Sequence, residues 1–80
     1  MIKVVLYEDN NQLREGLSML IQGSEGFEVV NTYRNCNHIS EDIKQDQPDI
    51  VLINLVTCAQ PLPQALLRSD GLTIVSVPNP

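Results

Sequence analysis

The stretch from Ile2 to Asn10, IKVVLYEDN, consists of a β-branched, apolar run that ends at two adjacent acids. It predicts a strand followed by a turn. Two later stretches are similarly apolar, Ile50–Ile53 with a continuation at Leu55 and Val56, and Leu72–Val77. Continuous apolar runs are typical of strands buried on both faces of a parallel sheet. A shorter run at Phe27–Val30 alternates in polarity, which indicates a strand at the edge of that sheet.

Helical patterns lie between the predicted strands. The clearest runs from Asn11 to Gln22, with Asn10 or Asn11 as its N-cap and Gly23 as its stop. Its apolar stripe consists of Leu13, Leu17, Leu20 and Ile21. A weaker helix is predicted from Asn37, as its cap, to Gln47, and a short one between Gln60 and Ser69. The order β-α-β-α-β-α-β predicts an α/β fold with a parallel sheet and right-handed crossovers.

The composition limits what the chain can be. With 80 residues and 42% apolar residues, it is long enough for one small globular domain. A net charge of −5 and an aromatic content of 4% argue against direct nucleic-acid binding. No apolar run reaches the ~20 residues of a membrane span, and the start lacks the pattern of a secretory signal. We therefore expect a cytoplasmic protein.

Two cysteines, Cys36 and Cys58, are too few for a zinc site. In a reducing compartment, we expect both to be unpaired thiols rather than a disulfide.

The residues most suited to chemistry are Glu8 and Asp9, which follow directly after the first strand. In a parallel α/β sheet, ligands bind beyond the carboxyl ends of the strands. Two carboxylates there suit Mg²⁺, although a solvated acidic turn is the alternative interpretation.

Three motifs, Tyr7–Asn10 (YEDN), Leu13–Leu17 (LREGL) and Pro48–Ile53 (PDIVLI), resemble the receiver domain of bacterial response regulators. The likeness is greatest to the subgroup with a C-terminal helix-turn-helix effector, and it covers residues 1 to about 56. It implies a flavodoxin-like sheet with strand order 2-1-3-4-5. It also implies that an aspartate ending the third strand accepts a phosphoryl group from a histidine kinase.

The resemblance assigns further roles by position. Asp9 would bind Mg²⁺ directly and Glu8 mainly through water, while Val56 would offer its backbone carbonyl to the metal. Ser76 would be the hydroxyl that follows the phosphate.

The acceptor position corresponds to Asn54, which departs from the family pattern. A carboxamide is neutral and a poor nucleophile, so we expect no phosphorylation of the usual kind there. Losing one of three clustered negative charges should also weaken Mg²⁺ binding. The alternative is that Asn54 is only a polar residue at the end of a strand.

The resemblance also fails after Asn54. We therefore expect a receiver-like domain over residues 1–80 that is truncated after its fourth strand, an incomplete flavodoxin-like sheet with about four strands and three helices. Its last strand would be an exposed apolar edge, which predicts a homodimer through that edge.

These features predict an atypical receiver-like module of a two-component phosphorelay, which acts by protein–protein interaction. Its partners would be a histidine kinase or another receiver, and DNA would be bound only through an effector domain absent from this chain. The alternatives are a small Mg²⁺-dependent phosphoryl-transfer enzyme and an inert fragment.

Overall fold

The computed structural model describes residues 1–54 and 71–77. Within them it contains four strands and two helices. In chain order these are β1 (Ile2–Tyr7), α1 (Asn11–Gln22), β2 (Phe27–Tyr33), α2 (Ile39–Asp46), β3 (Ile50–Asn54) and β4 (Thr73–Val77). The helix predicted between residues 60 and 69 lies outside the described residues.

All strand pairs are parallel, and the strands lie in the order β2-β1-β3-β4. This order confirms the predicted flavodoxin-like arrangement, incomplete within the described residues. It also places β2 at an edge, as its alternating pattern indicates. β1 and β3, whose sequences are apolar except for Lys3 and Asn54, lie in the middle of the sheet.

Helix α1 begins and ends where the sequence predicts. The Asn10 side chain accepts a hydrogen bond from the Leu13 amide at 3.0 Å, which caps the helix start. At the other end, the Gly23 amide donates to the Met19 carbonyl at 2.9 Å. Local capping chemistry therefore determines both ends of this helix.

The apolar stripe of α1 is only partly covered. No residue of this helix is fully buried, and Leu13 and Leu20 keep 39% and 70% of their surface exposed. Leu17 and Ile21 are half-buried. The stripe thus has one side toward the sheet and one side in solvent, although an amphipathic stripe ordinarily faces a core.

The alternating pattern predicts a strand only over Phe27–Val30, whereas β2 continues to Tyr33 beyond a β-bulge. Val4 pairs with Val29, but Val5 pairs with Asn31, so Val30 is an extra residue in the ladder. A bulge changes which side chains face the core, and the alternation that predicted the strand ends where the bulge occurs.

Helix α2 is shorter than predicted. Asn37 is not its cap; the N-cap is His38, whose side chain makes no capping hydrogen bond. The helix stops before Gln47, which has a left-handed backbone with φ of 49°. A proline follows Gln47, and the residue before a proline avoids the helical conformation.

The hydrophobic core lies between the sheet and α2. It contains Val5, Tyr7, Ile39, Ile43, Val51 and Ile53. Ile39 and Ile43 are the apolar pair whose spacing predicted this helix, and both are buried.

Two tyrosines tie α2 to the sheet. The rings of Tyr7 and Tyr33 are stacked, with centroids 5.1 Å apart. The Tyr7 hydroxyl donates to Asp42 at 3.0 Å, and the Tyr33 hydroxyl donates to Asp46. Because Asp42 and Asp46 are one helical turn apart, each tyrosine fixes a different turn of α2.

Cys36 is disulfide-bonded and packs against the core. The expectation of an unpaired thiol is therefore wrong for this residue. That expectation rested on the redox state of a compartment, whereas chain geometry decides which sulfur atoms can meet. The chain's other cysteine, Cys58, lies outside the described residues.

We predict that the two tyrosines make the protein sensitive to alkali. Burial, and then the hydrogen bond to Asp42, raise the pKa of Tyr7 well above its usual value. Above about pH 10 the unfolded chain loses a proton that native Tyr7 keeps, so the free energy of unfolding should fall as pH rises. Tyr7→Phe should remove up to about 1.4 kcal/mol per pH unit of that slope.

Urea denaturation between pH 8 and 12 measures this slope. Tyr33→Phe should change it in the same direction, because burial also raises the pKa of Tyr33. Parallel pH profiles for the parent protein and Tyr7→Phe above pH 10 would contradict the prediction.

Candidate functional site

The register of the two central strands brings Glu8 and Asn54 together. Tyr7 at the end of β1 pairs with Ile53 of β3. Because the strands are parallel, the next residue of each chain segment follows at the same sheet edge. Glu8 and Asn54 therefore lie side by side at the carboxyl end of the sheet, where ligand sites of such sheets occur.

The two side chains are in direct contact. Asn54 Nδ2 donates a hydrogen bond of 2.7 Å to Glu8 Oε1. Glu8 is 2% exposed and Asn54 is 6% exposed, so little water reaches this pair. A buried carboxylate needs donors to replace its lost hydration, and the carboxamide supplies one.

The turn after β1 supplies the other contacts of Glu8. Its second carboxylate oxygen, Oε2, accepts from the Asn10 amide at 3.0 Å. The Glu8 carbonyl accepts from Arg14 Nη1 at 2.9 Å, and Arg14 Nη2 donates to Asn11 Oδ1 at 2.6 Å. The first turn of α1 thus holds the backbone of Glu8 while Asn10 and Asn54 hold its carboxylate.

Our sequence reasoning missed the contacts of Asn10 and Arg14 with Glu8. The sequence does carry a signal for one of them, because Asn10 is two residues beyond Glu8, where a side-chain oxygen reaches a backbone amide in a tight turn. For Arg14 the sequence shows only its place in the LREGL motif. Its distance from Glu8 in the chain gives no sign that its guanidinium returns to the Glu8 carbonyl.

The other predicted site residues are Asp9, Ser76 and Val56. Asp9 is exposed in the turn between β1 and α1. Ser76 is exposed on β4 and pairs with Ile53, one position before the pair formed by Asn54 and Val77. The structure thus puts Ser76 at the same end of the sheet, and its role as a switch hydroxyl stays a prediction. Val56 lies outside the described residues.

The residues fit a magnesium ion only in part. Each oxygen of Glu8 already accepts one hydrogen bond, and coordination would have to use its remaining lone pairs. Asn54 directs its Nδ2 group to Glu8, and because an N–H group cannot coordinate a metal, only Oδ1 of this side chain could serve as a ligand. Among residues 1–54 and 71–77, no group of three or more His, Cys, Asp or Glu residues is arranged to hold a metal ion.

Comparison with known proteins identifies two relatives. The chain is 40% identical over 55 residues to transcriptional regulatory protein LnrK of Bacillus subtilis, which is 69% of this chain and 25% of that protein. It is 34% identical over 73 residues to protein-glutamate methylesterase/protein-glutamine glutaminase 1 of Oleidesulfovibrio alaskensis, which is 91% of this chain and 17% of that protein. No protein-family profile matches the chain.

The chain is related to response-regulator receiver domains. The sheet order and these two relatives confirm the resemblance carried by the sequence motifs. The chain spans a quarter or less of the length of the curated relatives it matches. None of the helices in the described part of this receiver-like chain is long and apolar enough to cross a membrane.

We predict that Asn54→Asp destabilises the metal-free protein. The change replaces a donor by a second carboxylate beside buried Glu8, and two unit charges about 4 Å apart repel by about 4 kcal/mol at an effective dielectric constant of 20. We expect the free energy of unfolding, measured with urea in EDTA at pH 7, to fall by about 2–4 kcal/mol.

The double variant Glu8→Gln/Asn54→Asp is the matched control. It keeps one carboxylate and one carboxamide but reverses the direction of the hydrogen bond, so most of the lost stability should return. If Asn54→Asp alone were as stable as the parent protein in EDTA, the electrostatic account of this contact would be wrong.

Proposed function

We propose that this chain is a receiver-like signalling module of a two-component phosphorelay that acts through protein–protein contact without being phosphorylated itself. The observation that carries the proposal is the contact between Asn54 and Glu8. It puts a neutral amide beside the acidic turn at the sheet end where, by resemblance, the phosphoryl acceptor of a receiver would stand.

The chemistry of the amide supports the absence of phosphorylation. Attack on phosphorus requires an oxygen with a negative charge or a general base to create one. The Asn54 side chain is neutral, and its nitrogen is engaged as a donor to Glu8. An acyl phosphate therefore has no carboxylate to form on at this position.

A module without phosphorylation would work as a constant binding surface. A phosphoryl group regulates a domain by changing the relative stability of two conformations. With Asn54 in place the site is held by an internal hydrogen bond, and the balance of conformations does not depend on a phosphodonor. A histidine kinase or another receiver domain would then compete for, or share, the surface.

The name of one of the two relatives supports a regulatory role. One is named a transcriptional regulatory protein, and the other is named as an enzyme. Binding to DNA would require an effector domain outside these 80 residues, because phosphate contacts need clustered basic residues and this chain is acidic overall, with a net charge of −5. We propose a role in transcriptional regulation for this chain only by way of such a partner or domain.

Mg²⁺ binding belongs to the same proposal and would be weak. Asp9 would bind the ion and Glu8 would act through water, with Val56 offering its carbonyl. One negative charge fewer lowers the attraction for a divalent cation. A small Mg²⁺-dependent phosphoryl-transfer enzyme is the second candidate, and the acidic turn formed by Glu8 and Asp9 is its single support.

We predict that the parent protein stays unlabelled when it is incubated with Mg²⁺ and a small phosphodonor, whereas Asn54→Asp becomes labelled. The new carboxylate would stand where a receiver accepts the phosphoryl group. Intact-protein mass spectrometry would detect about one added phosphoryl group per chain, and the group should be lost under alkaline conditions as expected for an acyl phosphate.

Two controls make the labelling result specific. Asn54→Ala should stay unlabelled, because it has no nucleophile. Asp9→Asn in the Asn54→Asp background should label more slowly, because a proposed metal ligand is lost. An unlabelled Asn54→Asp variant that still folds would overturn the assignment of the acceptor position, and catalytic turnover of the phosphodonor by the parent protein would favour the enzyme.

A further inference from the structure

Strand β2 forms one edge of the sheet, and within residues 1–54 and 71–77 no other strand pairs with its outer side. Successive residues of a strand direct their backbone groups to opposite sides, so every second amide of an edge strand faces outward. Outward-facing amides and carbonyls are where a strand from another chain could pair. The bulge at Val30 shifts this alternation. Blocking the edge therefore requires separate contacts before and after the bulge.

Before the bulge, the end of α1 supplies these contacts. The Val29 amide donates to Gln22 Oε1 at 2.8 Å, so it is not bonded to β1 and faces outward. Two residues earlier, the Phe27 amide faces the same way and donates to the Ser24 carbonyl at 3.3 Å. Gln22 is the last residue of α1, and Ser24 lies between α1 and β2. The end of the helix therefore covers this half of the edge.

After the bulge, Asn31 supplies the contact. The Tyr33 carbonyl accepts from the Glu8 amide, so Tyr33 faces β1 and Thr32 faces outward. The Thr32 amide donates to Asn31 Oδ1 at 3.0 Å. Asn31 Nδ2 donates in turn to the Tyr33 hydroxyl at 3.0 Å, and that hydroxyl donates to Asp46 of α2. The side chain that covers this half of the edge is therefore held by a contact that reaches the second helix.

We propose that Gln22 and Asn31 form an internal block that prevents an extended chain segment from adding to the β2 edge. An added strand is bound through main-chain hydrogen bonds, which need available amide donors on the edge strand. The three outward-facing amides of β2 already have acceptors at 2.8 to 3.3 Å, and an incoming strand would first have to break these contacts. The bulge adds to the block, because it bends the strand and interrupts the regular ladder.

The residue types of β2 give little protection by themselves. Its sequence, FEVVNTY, contains no proline or glycine, and its only charge is Glu28. Valine, threonine, phenylalanine and tyrosine all favour strands, and Val30 is 38% exposed. The two side-chain contacts are therefore what the block depends on. Neither involves Asn54, so the proposal does not depend on the proposed signalling role, and it implies that a partner of this chain binds a surface other than the β2 edge.

Amide hydrogen exchange of the full chain, measured residue by residue with NMR, tests the contacts. In the parent protein the Val29 and Thr32 amides should be protected, although they face outward at an edge. Gln22→Ala should speed exchange at Val29 by about fivefold and leave Thr32 unchanged, because one hydrogen bond is lost. Gln22→Glu keeps an acceptor oxygen and should retain the protection. Gln12→Ala makes the same change at an exposed position of the same helix and should alter neither amide. Unprotected Val29 and Thr32 amides in the parent protein would overturn the proposal.

Sedimentation velocity over a range of concentrations tests whether the contacts keep other strands away. Gln22→Ala/Asn31→Ala should self-associate with a dissociation constant about tenfold or more below that of the parent protein, because the edge is then open. Adding Val30→Lys should reverse this gain, since a charge on an edge strand opposes pairing. Gln22→Ala alone should associate to an intermediate degree, and it gives the same test if circular dichroism shows that the double variant does not fold.

Two results of the sedimentation experiment would overturn the proposal. The first is a folded double variant that associates no more than the parent protein, even if its amides exchange faster, because the contacts would then not be what blocks the edge. The second is a gain in association that Val30→Lys leaves unchanged, because the copies would then meet through another surface.

Discussion

The buried charge of Glu8 constrains the whole carboxyl end of the sheet. A carboxylate that is 2% exposed has lost its water, and its two oxygens must find donors within the protein. Asn54 provides one and the Asn10 amide provides the other. The first of these donors comes from the end of β3 and the second from the turn before α1, so one charge joins β3 to the turn between β1 and α1.

This contact depends on the alignment of β1 and β3 more than on either residue alone. Tyr7 and Ile53 pair in the ladder, and a shift of one position would direct the Asn54 side chain to the opposite face of the sheet. The alignment is maintained by the core on the α2 face, where Tyr7 and Ile53 are both buried. Packing on one face of the sheet therefore determines the polar contact at its end.

Much of this arrangement could be predicted from the sequence because its signals are local. Continuous apolar runs identified β1 and β3, and the asparagine and glycine at the two ends of α1 determined its bounds. The proximity of Glu8 and Asn54 followed from the rule that parallel strands end at the same sheet edge.

The features that could not be predicted depend on tertiary geometry. The bulge at Val30 has no residue type that marks it, and α2 starts at His38 although Asn37 is the better capping residue. The exposed apolar residues of α1 have the same spacing in the sequence as buried ones. Periodicity shows that one face of a helix is apolar, but it does not show whether another element covers that face. The disulfide bond of Cys36 likewise could not be predicted, because no local sequence pattern shows which sulfur atoms a fold brings together.

A cluster of acids at the end of a sheet can be stabilised by a cation or by a neutral donor. The first solution makes the site respond to the concentration of the ion and to anything that binds it. The neutral donor, here the carboxamide of Asn54 beside Glu8, is part of the chain, so its stabilising effect does not depend on the concentration of an ion. Under the proposed function it also removes the nucleophile, because a neutral amide would stand where an acid would attack phosphorus. Under the same proposal, an asparagine at position 54 lowers the negative charge of the site and leaves a binding surface that does not depend on phosphorylation.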